Sequence, residues 1–297
     1  MILQGRHGVV RRFPIVPGID MAGVVLESGS PLFSPGDEVV LTGNKIGQHV
    51  DGGYSERCSV QAEWLVPRPR SFSLEECMAI GTAGFTAMQM VMELEECGRL
   101  QTSKGPCLVL GAGGGAGSAC VAILAQRGYE ASAVTSVVAA TGRKDQLREY
   151  LTDLGAKEVV GRLAPEKRAL AEQRWQAVLD CAGGPQLSAA LAQLRYRGAA
   201  ACIGVAGGGE LEASVYPFVL RGVRLLGVDS TLPWDVEGLG EDVEEWQRNR
   251  RERLGFPQEF SRSRACSADP LFSLLATFPD CRLVLADCFG GNRFEVN

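Results

Sequence analysis

Histidine is scarce in this chain: only His7 and His49 occur among 297 residues. Catalytic zinc sites generally take histidine and cysteine ligands, so the sequence offers little from which to build one. Cysteine is more frequent, with ten residues, but no two of them form a Cys-x-x-Cys pair and several lie in apolar segments. We therefore predict reduced, buried thiols that pack as small hydrophobic side chains, and no metal site.

The chain also lacks a concentration of positive charge and a long apolar run. Its formal net charge is −5, with lysine and arginine scattered along the sequence. Nucleic-acid binding usually needs a concentrated basic face, so this class of partner is not expected. No apolar run has the length of a bilayer span, and no charged-then-apolar leader follows Met1. These absences predict a cytoplasmic protein with neither nucleic acid nor membrane as a partner.

Glycine, in contrast, is abundant: 37 residues in a chain of ordinary globular composition, with 45% hydrophobic and 22% charged residues. So many glycines predict several tight turns or ligand-facing loops. The first seventy or so residues have the pattern of short strands and turns, including a turn at Pro35-Gly36-Asp37. Ser73 and Glu76 then have the spacing of a helix-capping box.

From Cys107 onward the pattern alternates strand, glycine loop and helix. Such alternation with apolar strands predicts a parallel sheet covered by helices on both faces. Strands are predicted at Cys107–Leu110, Ala131–Val134, Ala177–Cys181, Ala199–Val205 and Val223–Val228. Helices are predicted at Phe85–Glu96, Gly117–Arg127, Lys144–Leu154 and Pro185–Leu194.

The glycine-rich stretch from Gly111 to Gly117 follows an apolar strand and opens a helix, which is the context of a dinucleotide-binding fingerprint. Glycines let the backbone approach a pyrophosphate, and the helix start offers N–H groups and a favourable dipole. A close helix–strand packing turn is the alternative interpretation. Within this series of strand–helix units we favour the cofactor interpretation.

The residues after the second strand of this series favour NADPH over NADH. NAD sites usually carry an acidic residue at this place, whereas here the sequence reads Thr141-Gly142-Arg143-Lys144 before the first acid, Asp145. An arginine can pair bidentately with a 2′-phosphate. A solvated basic helix start is the alternative.

Six further segments occur in an order that resembles one family. They are Phe13–Gly23, Gly36–Val39, Gly52–Glu56, Ile80–Ala87, Pro217–Val223 and Gly227–Ser230. Together with the glycine loop and Thr141-Gly142-Arg143, they resemble zinc-free medium-chain dehydrogenase/reductases. The branch they resemble is that of the acryloyl-CoA reductases, whose members are often labelled quinone oxidoreductases. The resemblance extends from about Arg11 to Ser230.

The resemblance implies an α/β fold in two domains: a GroES-like partial β-barrel, incomplete at its N-terminus, and a Rossmann domain with a doubly wound parallel sheet. We expect the barrel at residues 1–72, the Rossmann NADPH-binding domain at 73–230 and a divergent tail at 231–297. NADPH would lie in the cleft between the domains. It would deliver hydride to the β-carbon of an electron-poor alkene, with a proton added at the α-carbon.

The resemblance also implies a set of cofactor-binding residues. The phosphate cradle would consist of Gly113, Gly114, Gly115, Ala116 and Gly117, the 2′-phosphate clamp of Thr141, Gly142 and Arg143, and the nicotinamide or its ribose would lie near Thr82 and Ser230. The alternative for Thr82 is a helix-breaking turn capped by its own hydroxyl. Asp20 lies where zinc-dependent relatives have an acid near the metal, and we interpret it as structural.

No catalytic acid or base is predicted, because hydride transfer depends mainly on alignment of donor and acceptor and on stabilisation of the enolate oxygen. Tyr54 is a minor candidate, better interpreted as a barrel residue. The predicted substrates are a small enoyl thioester, above all acryloyl-CoA, or a quinone. A catalytically broken nucleotide-binding fragment is the alternative outside enzymology. The resemblance also implies a homodimer.

Three departures from the family pattern qualify these expectations. Nothing before Arg11 matches an Asn-Tyr-Lys-Asp-like segment of the family, and Thr135–Ala140 is an insertion before the predicted clamp. After Ser230 the resemblance fades into a charged stretch at Glu237–Arg253, predicted as a solvated helix, and a polar stretch at Phe260–Pro270, predicted as a loop.

Overall fold

The computed structural model describes residue 10, residues 13–101, 104–134 and 144–230, and residues 295 and 296. The predictions for Thr135–Ala140, Glu237–Arg253 and Phe260–Pro270 lie outside these residues. The described chain falls into two compact units. One holds the residues up to Thr82 together with Ser230 and residues 295 and 296, and the other is Ala83–Asp229.

The strands and helices are numbered in chain order. The strands are β1 (Asp20–Val25), β2 (Glu38–Thr42), β3 (Arg57–Cys58), β4 (Val66–Pro67), β5 (Cys107–Leu110), β6 (Ala131–Val134), β7 (Ala156–Val160), β8 (Trp175–Asp180), β9 (Leu194–Cys202), β10 (Arg224–Gly227) and β11 (Glu295–Val296). The helices are α1 (Leu74–Glu96), α2 (Gly115–Gln126), α3 (Lys144–Asp153), α4 (Gly184–Gln193) and α5 (Tyr216–Arg221).

The first unit is built on a five-stranded sheet in the order β3-β11-β1-β2-β4. β1 and β2 are antiparallel, with Met21 opposite Leu41, and both side chains are buried in a small apolar core. The predicted turn before β2 is present: Gly36 has a φ of 96°, and the Ser34 amide donates to the Asp37 carboxylate at 2.8 Å. β11 lies between β1 and β3 and runs parallel to both. Residues 295 and 296 thus supply an interior strand of this sheet.

Helix α1 begins at the predicted capping box. The Ser73 amide donates to the Glu76 carboxylate at 2.7 Å, and the Glu76 amide donates to the Ser73 hydroxyl at 3.1 Å. The helix is broken at Gly81, whose φ of 46° and ψ of −159° are not helical. By length and composition α1 could cross a membrane, but 72% of its apolar window is buried inside the protein. It therefore has the character of a core helix.

The second unit is built on a six-stranded parallel sheet in the order β10-β9-β8-β5-β6-β7. Strands β5 and β8 lie in the middle and are buried along their whole length. This explains why β5 is apolar throughout and why β8 is apolar apart from Gln176 and Asp180. From β5, the chain adds β6 and β7 on one side and then β8, β9 and β10 on the other. This is the order of a doubly wound Rossmann sheet, so the predicted parallel sheet is confirmed.

Candidate functional site

The doubly wound order places a topological switch point between β5 and β8, where ligands bind in sheets of this type. The glycine-rich loop begins here, directly after β5. Gly111 has a φ of 74°, and the Gly114 amide donates to the Gly111 carbonyl at 3.0 Å, which closes a tight turn. Helix α2 then begins at Gly115, with Gly114 in an extended conformation as its N-cap.

The start of α2 offers backbone donors to an anion. Its first helical hydrogen bond runs from the Ser118 amide to the Gly114 carbonyl at 2.8 Å, so the amides of Gly115, Ala116 and Gly117 precede it and have no partner within the helix. Gly114 provides no side-chain cap, and the first turn of α2 contains no acidic residue. The positive end of the helix dipole is therefore not neutralised by the helix itself, as a phosphate site requires.

The glycines of this loop are present for two different reasons. A Cβ on Gly117 would collide with the carbonyl oxygen of Gly111, so this glycine is required for packing alone. A Cβ on Gly114 would meet nothing closer than 3.4 Å, and one on Gly115 would lie 3.6 Å from the Cβ of Ala83, which is ordinary contact. Both glycines are exposed. The packing alternative explains Gly117 but not Gly114 or Gly115, which leave the helix start open to a ligand.

The loops after β8 and β9 complete this edge of the sheet. Asp180, at the end of β8, is fully buried and accepts hydrogen bonds from the amides of Ala182 at 3.1 Å and Gly183 at 2.9 Å. Burial raises the pKa of its carboxyl group, while the two amides oppose that shift. A Cβ on Gly204, after β9, would collide with the backbone of Cys181. The sequence analysis did not predict this tight edge, although the pairs Gly183-Gly184 and Gly207-Gly208 were a visible signal.

The cysteines near the loop are protonated thiols in a packed core. All seven cysteines of the described residues are free, as predicted. A hydrogen bond with Cys181 and burial raise the pKa of the Cys120 thiol. Burial, together with the nearby charge of Glu130, raises the pKa of Cys107, in β5, to about 12, against an opposing hydrogen bond with Gln176. A protonated thiol is neither a nucleophile nor a metal ligand, so these cysteines act as apolar side chains here.

Thr82, in the first unit, lies directly after the break in α1. Its amide and its hydroxyl both donate to Oδ1 of Asp20, at 2.8 Å and 2.6 Å. The predicted alternative, a helix-breaking turn capped by the threonine hydroxyl, describes only part of this arrangement, because the cap comes from Asp20. Asp20 keeps some solvent-accessible surface, but its carboxyl group is deeply enclosed. Burial raises its pKa, and the hydrogen bonds from Thr82 oppose that shift.

The remaining predicted residues are placed as follows. Ser230, the last residue of the described stretch 144–230, is half-buried, and Tyr54 is 59% exposed. Thr141, Gly142 and Arg143 lie outside the described residues, so the 2′-phosphate clamp stays a prediction. Among the residues that the structure describes, no three histidine, cysteine or acidic side chains come together as a metal site.

Two known protein families match this chain and define its class of enzyme. The family described as "Alcohol dehydrogenase GroES-like domain" matches residues 1–70, and the one described as "Zinc-binding dehydrogenase" matches residues 115–244. The fold, the open glycine loop and these two matches define a nicotinamide-dependent oxidoreductase with a GroES-like and a Rossmann part. Zinc is part of the second family's description, but the described residues do not provide its ligands.

Individual relatives narrow the class. The chain is 47% identical to an acrylyl-CoA reductase of Ruegeria pomeroyi over 76% of its own length and 67% of the relative's. It is also 47% identical to a Bacillus subtilis protein named as a quinone oxidoreductase, over 79% of this chain and 70% of that one. The chain belongs to the zinc-free acryloyl-CoA reductase and quinone oxidoreductase branch of the medium-chain dehydrogenase/reductase family.

Solved structures of relatives contain the predicted class of cofactor. A Salmonella enterica oxidoreductase in complex with NADP is 38% identical, with a TM-score of 0.72 over 93% of this chain and 81% of that one. The Bacillus subtilis protein with NAD bound is 43% identical, with a TM-score of 0.71 over 82% of this chain and 71% of that one. The predicted fold class and the dependence on a nicotinamide dinucleotide are therefore confirmed for the family.

Proposed function

We propose that this chain reduces the carbon–carbon double bond of a small enoyl thioester with NADPH, and that acryloyl-CoA, converted to propanoyl-CoA, is its substrate. The open amide cradle at the start of α2, beside the switch point of the sheet, is the observation that supports it most directly. The 47% identity to the acrylyl-CoA reductase of Ruegeria pomeroyi supports the choice of substrate.

In this proposal the cofactor is held mainly by backbone groups. The amides of Gly115, Ala116 and Gly117 donate to the pyrophosphate, and the dipole of α2 favours its negative charge. Arg143, from the segment Thr141–Arg143, pairs with the 2′-phosphate. Thr82 and Ser230 lie near the nicotinamide or its ribose in this proposal.

The chemistry requires alignment more than acid–base strength. Bound NADPH supplies the hydride that adds to the β-carbon, and a proton from solvent adds to the α-carbon, so that the alkene, NADPH and one proton give the saturated thioester and NADP. The chain contributes by holding donor and acceptor in line and by hydrogen bonds to the oxygen that becomes an enolate. No residue is assigned as catalytic.

The first test is a titration of the purified chain with NADPH and, in parallel, with NADH. We expect saturable binding that favours NADPH by about tenfold or more, since an arginine–phosphate pair contributes a charge-assisted hydrogen bond. Arg143→Ala is the matched control: it should remove the preference and leave the affinity for NADH unchanged. Failure of the parent chain to bind either cofactor would end the proposal.

Turnover then separates the candidate substrates. The rate of NADPH oxidation is measured by absorbance with each acceptor at equal concentration. It should be higher with acryloyl-CoA than with a quinone. The quinone reductase is the second candidate, favoured by the name of the Bacillus subtilis relative. Binding of NADPH without turnover of either acceptor would instead support a non-catalytic nucleotide-binding protein.

Four further properties of the chain stay predictions. They are the domain limits at residues 72 and 230, the homodimer, the cytoplasmic location and the lack of nucleic-acid or membrane partners. Size measurement by light scattering of the purified chain tests the homodimer directly.

A further inference from the structure

The break in α1 is organised around one carboxyl group. Gly81 leaves the helical conformation, and helical backbone resumes after it. Asp20 belongs to β1 and lies 62 residues before Thr82 in the chain. Its Oδ1 accepts hydrogen bonds from both the amide and the hydroxyl of Thr82. A Cβ on Gly81 would lie 3.2 Å from Oδ2 of Asp20, and the φ of 46° is strained for other residues. Glycine at position 81 thus permits both the break and the close approach of the carboxyl group.

A helix cap alone does not require an enclosed carboxyl group such as that of Asp20. Enclosing a carboxyl group disfavours its charged form, and the raised pKa of Asp20 reflects this cost. A serine, threonine or asparagine caps a helix without it. The geometry also goes beyond a backbone cap, because Asp20 accepts a hydrogen bond from the Thr82 hydroxyl at 2.6 Å, shorter than the one it accepts from the Thr82 amide at 2.8 Å.

This second bond fixes what Thr82 can offer to anything else. A hydroxyl has one proton and two lone pairs. Since the proton of Thr82 points at Asp20, its oxygen can only accept hydrogen bonds from further groups. Oδ1 of Asp20 accepts both hydrogen bonds from Thr82, so when Asp20 is protonated on Oδ2 the polarity of Thr82 is the same as in the ionised form.

We infer that Asp20 is a positioning residue that holds the Thr82 hydroxyl as a hydrogen-bond acceptor for a donor on the nicotinamide–ribose half of the cofactor. The inference rests on the proposed function, which puts Thr82 on that half. The ribose hydroxyls and the carboxamide N–H are donors of the required kind. The same geometry argues against Thr82 as the proton donor to the α-carbon, because its hydroxyl already donates its hydrogen bond to Asp20.

The test compares two ligands across a small set of variants. NADPH contains the nicotinamide–ribose half, whereas 2′,5′-ADP contains only the adenosine half. Asp20→Ala should weaken NADPH binding by about tenfold, the usual effect of a lost or misplaced hydrogen bond, and leave 2′,5′-ADP binding unchanged. Asp20→Asn retains an oxygen acceptor at the same position, and its affinity for NADPH should stay within about threefold of the parent's.

Thr82→Val completes a double-mutant cycle. If Asp20 acts through Thr82, Thr82→Val alone should weaken NADPH about as much as Asp20→Ala, and the double variant should be no weaker than either. Equal loss of both ligands, or additive losses in the cycle, would mean that Asp20 only supports the fold. An Asn variant as weak as the Ala variant would also overturn the inference, since the charge rather than the acceptor would then matter.

The outcomes separate the inference from the function it rests on. A parent chain that binds NADPH and reduces acryloyl-CoA, with Asp20→Ala indistinguishable from it, removes the inference and leaves the function. A parent chain that binds no NADPH removes both.

Discussion

Two of the places where helical backbone begins directly after a glycine, the start of α2 and the break in α1, have opposite results. At the start of α2, Gly114 gives no side-chain cap, and the first turn contains no carboxylate to bond the amides of Gly115 to Gly117. At the break in α1, the amide that follows Gly81 is taken by Asp20. Glycine before a helix therefore indicates only that the backbone turns there. Whether the helix start can hold a phosphate depends on whether another residue already occupies it.

The largest expected effect is on NADPH affinity. It comes from placing a carboxylate at the open start of α2, as Asp20 does at the closed start after Gly81. Gly115→Asp places a carboxylate in the first turn of α2, where like charge should weaken NADPH binding by about 100-fold or more. An acid in the first turn stabilises a helix, and a Cβ at this position meets only ordinary contact at 3.6 Å. The melting temperature should therefore not fall. Cofactor titration and a thermal melt on the same sample measure both.

Gly115→Asn is the matched control for that variant, with nearly the same shape and no charge. Its added side-chain volume should weaken NADPH binding, but by clearly less than the carboxylate of Gly115→Asp does. Equal loss in the Asn and Asp variants would show that side-chain volume, not charge, closes the site.

A smaller effect, on stability, separates the two kinds of glycine within the loop. Gly117→Ala puts a Cβ into the carbonyl oxygen of Gly111 and should lower the free energy of unfolding by about 1–3 kcal/mol. Gly114→Ala, whose Cβ would lie 3.4 Å from the same oxygen, should cost less than about 1 kcal/mol. Urea denaturation of the two variants gives the comparison. Equal costs would contradict the assignment of Gly117 to packing.

The smallest effect is a pH dependence at the closed start. Burial raises the pKa of Asp20 in the folded protein, whereas an aspartate in the unfolded chain has a pKa of about 3.9. Its contribution to stability is therefore complete below that value and is lost as the pH rises through the raised pKa. Asp20→Asn does not titrate there. The stability of the parent relative to this variant should fall from pH 4 upward, as urea denaturation across the pH range can show. A constant or rising difference would contradict the raised pKa.

The second unit was largely predictable, because its signals are local. The limits of β5 and β6 agree with prediction to the residue. β5 is an apolar run between Pro106 and Gly111, and β6 follows the helix that ends shortly before Gly128. β7 was not predicted: Lys157 and Glu158 are exposed in it, so this edge strand has no apolar run to detect. The short α5 was missed as well, since its Val219 and Leu220 are exposed and give no buried face.

The candidate site was predictable to the same extent. The glycine loop is contiguous and follows a strand, so its position was evident. Sequence alone could not distinguish a glycine needed for packing, such as Gly117, from one that leaves room for a ligand, such as Gly115. Nor could it predict the bond between Asp20 and Thr82, because a contact across 62 residues of chain has no local pattern.

The position of β11 also has a consequence for the order in which the protein folds. The strand lies between β1 and β3, so the sheet of the first unit joins residues 20–58 to residues 295 and 296. During synthesis on the ribosome, this sheet cannot close until residues 295 and 296 have been made. The sheet of the second unit takes all six of its strands from residues 107–227. Its strands are therefore all available earlier in synthesis than those of the sheet that contains β1 and β11.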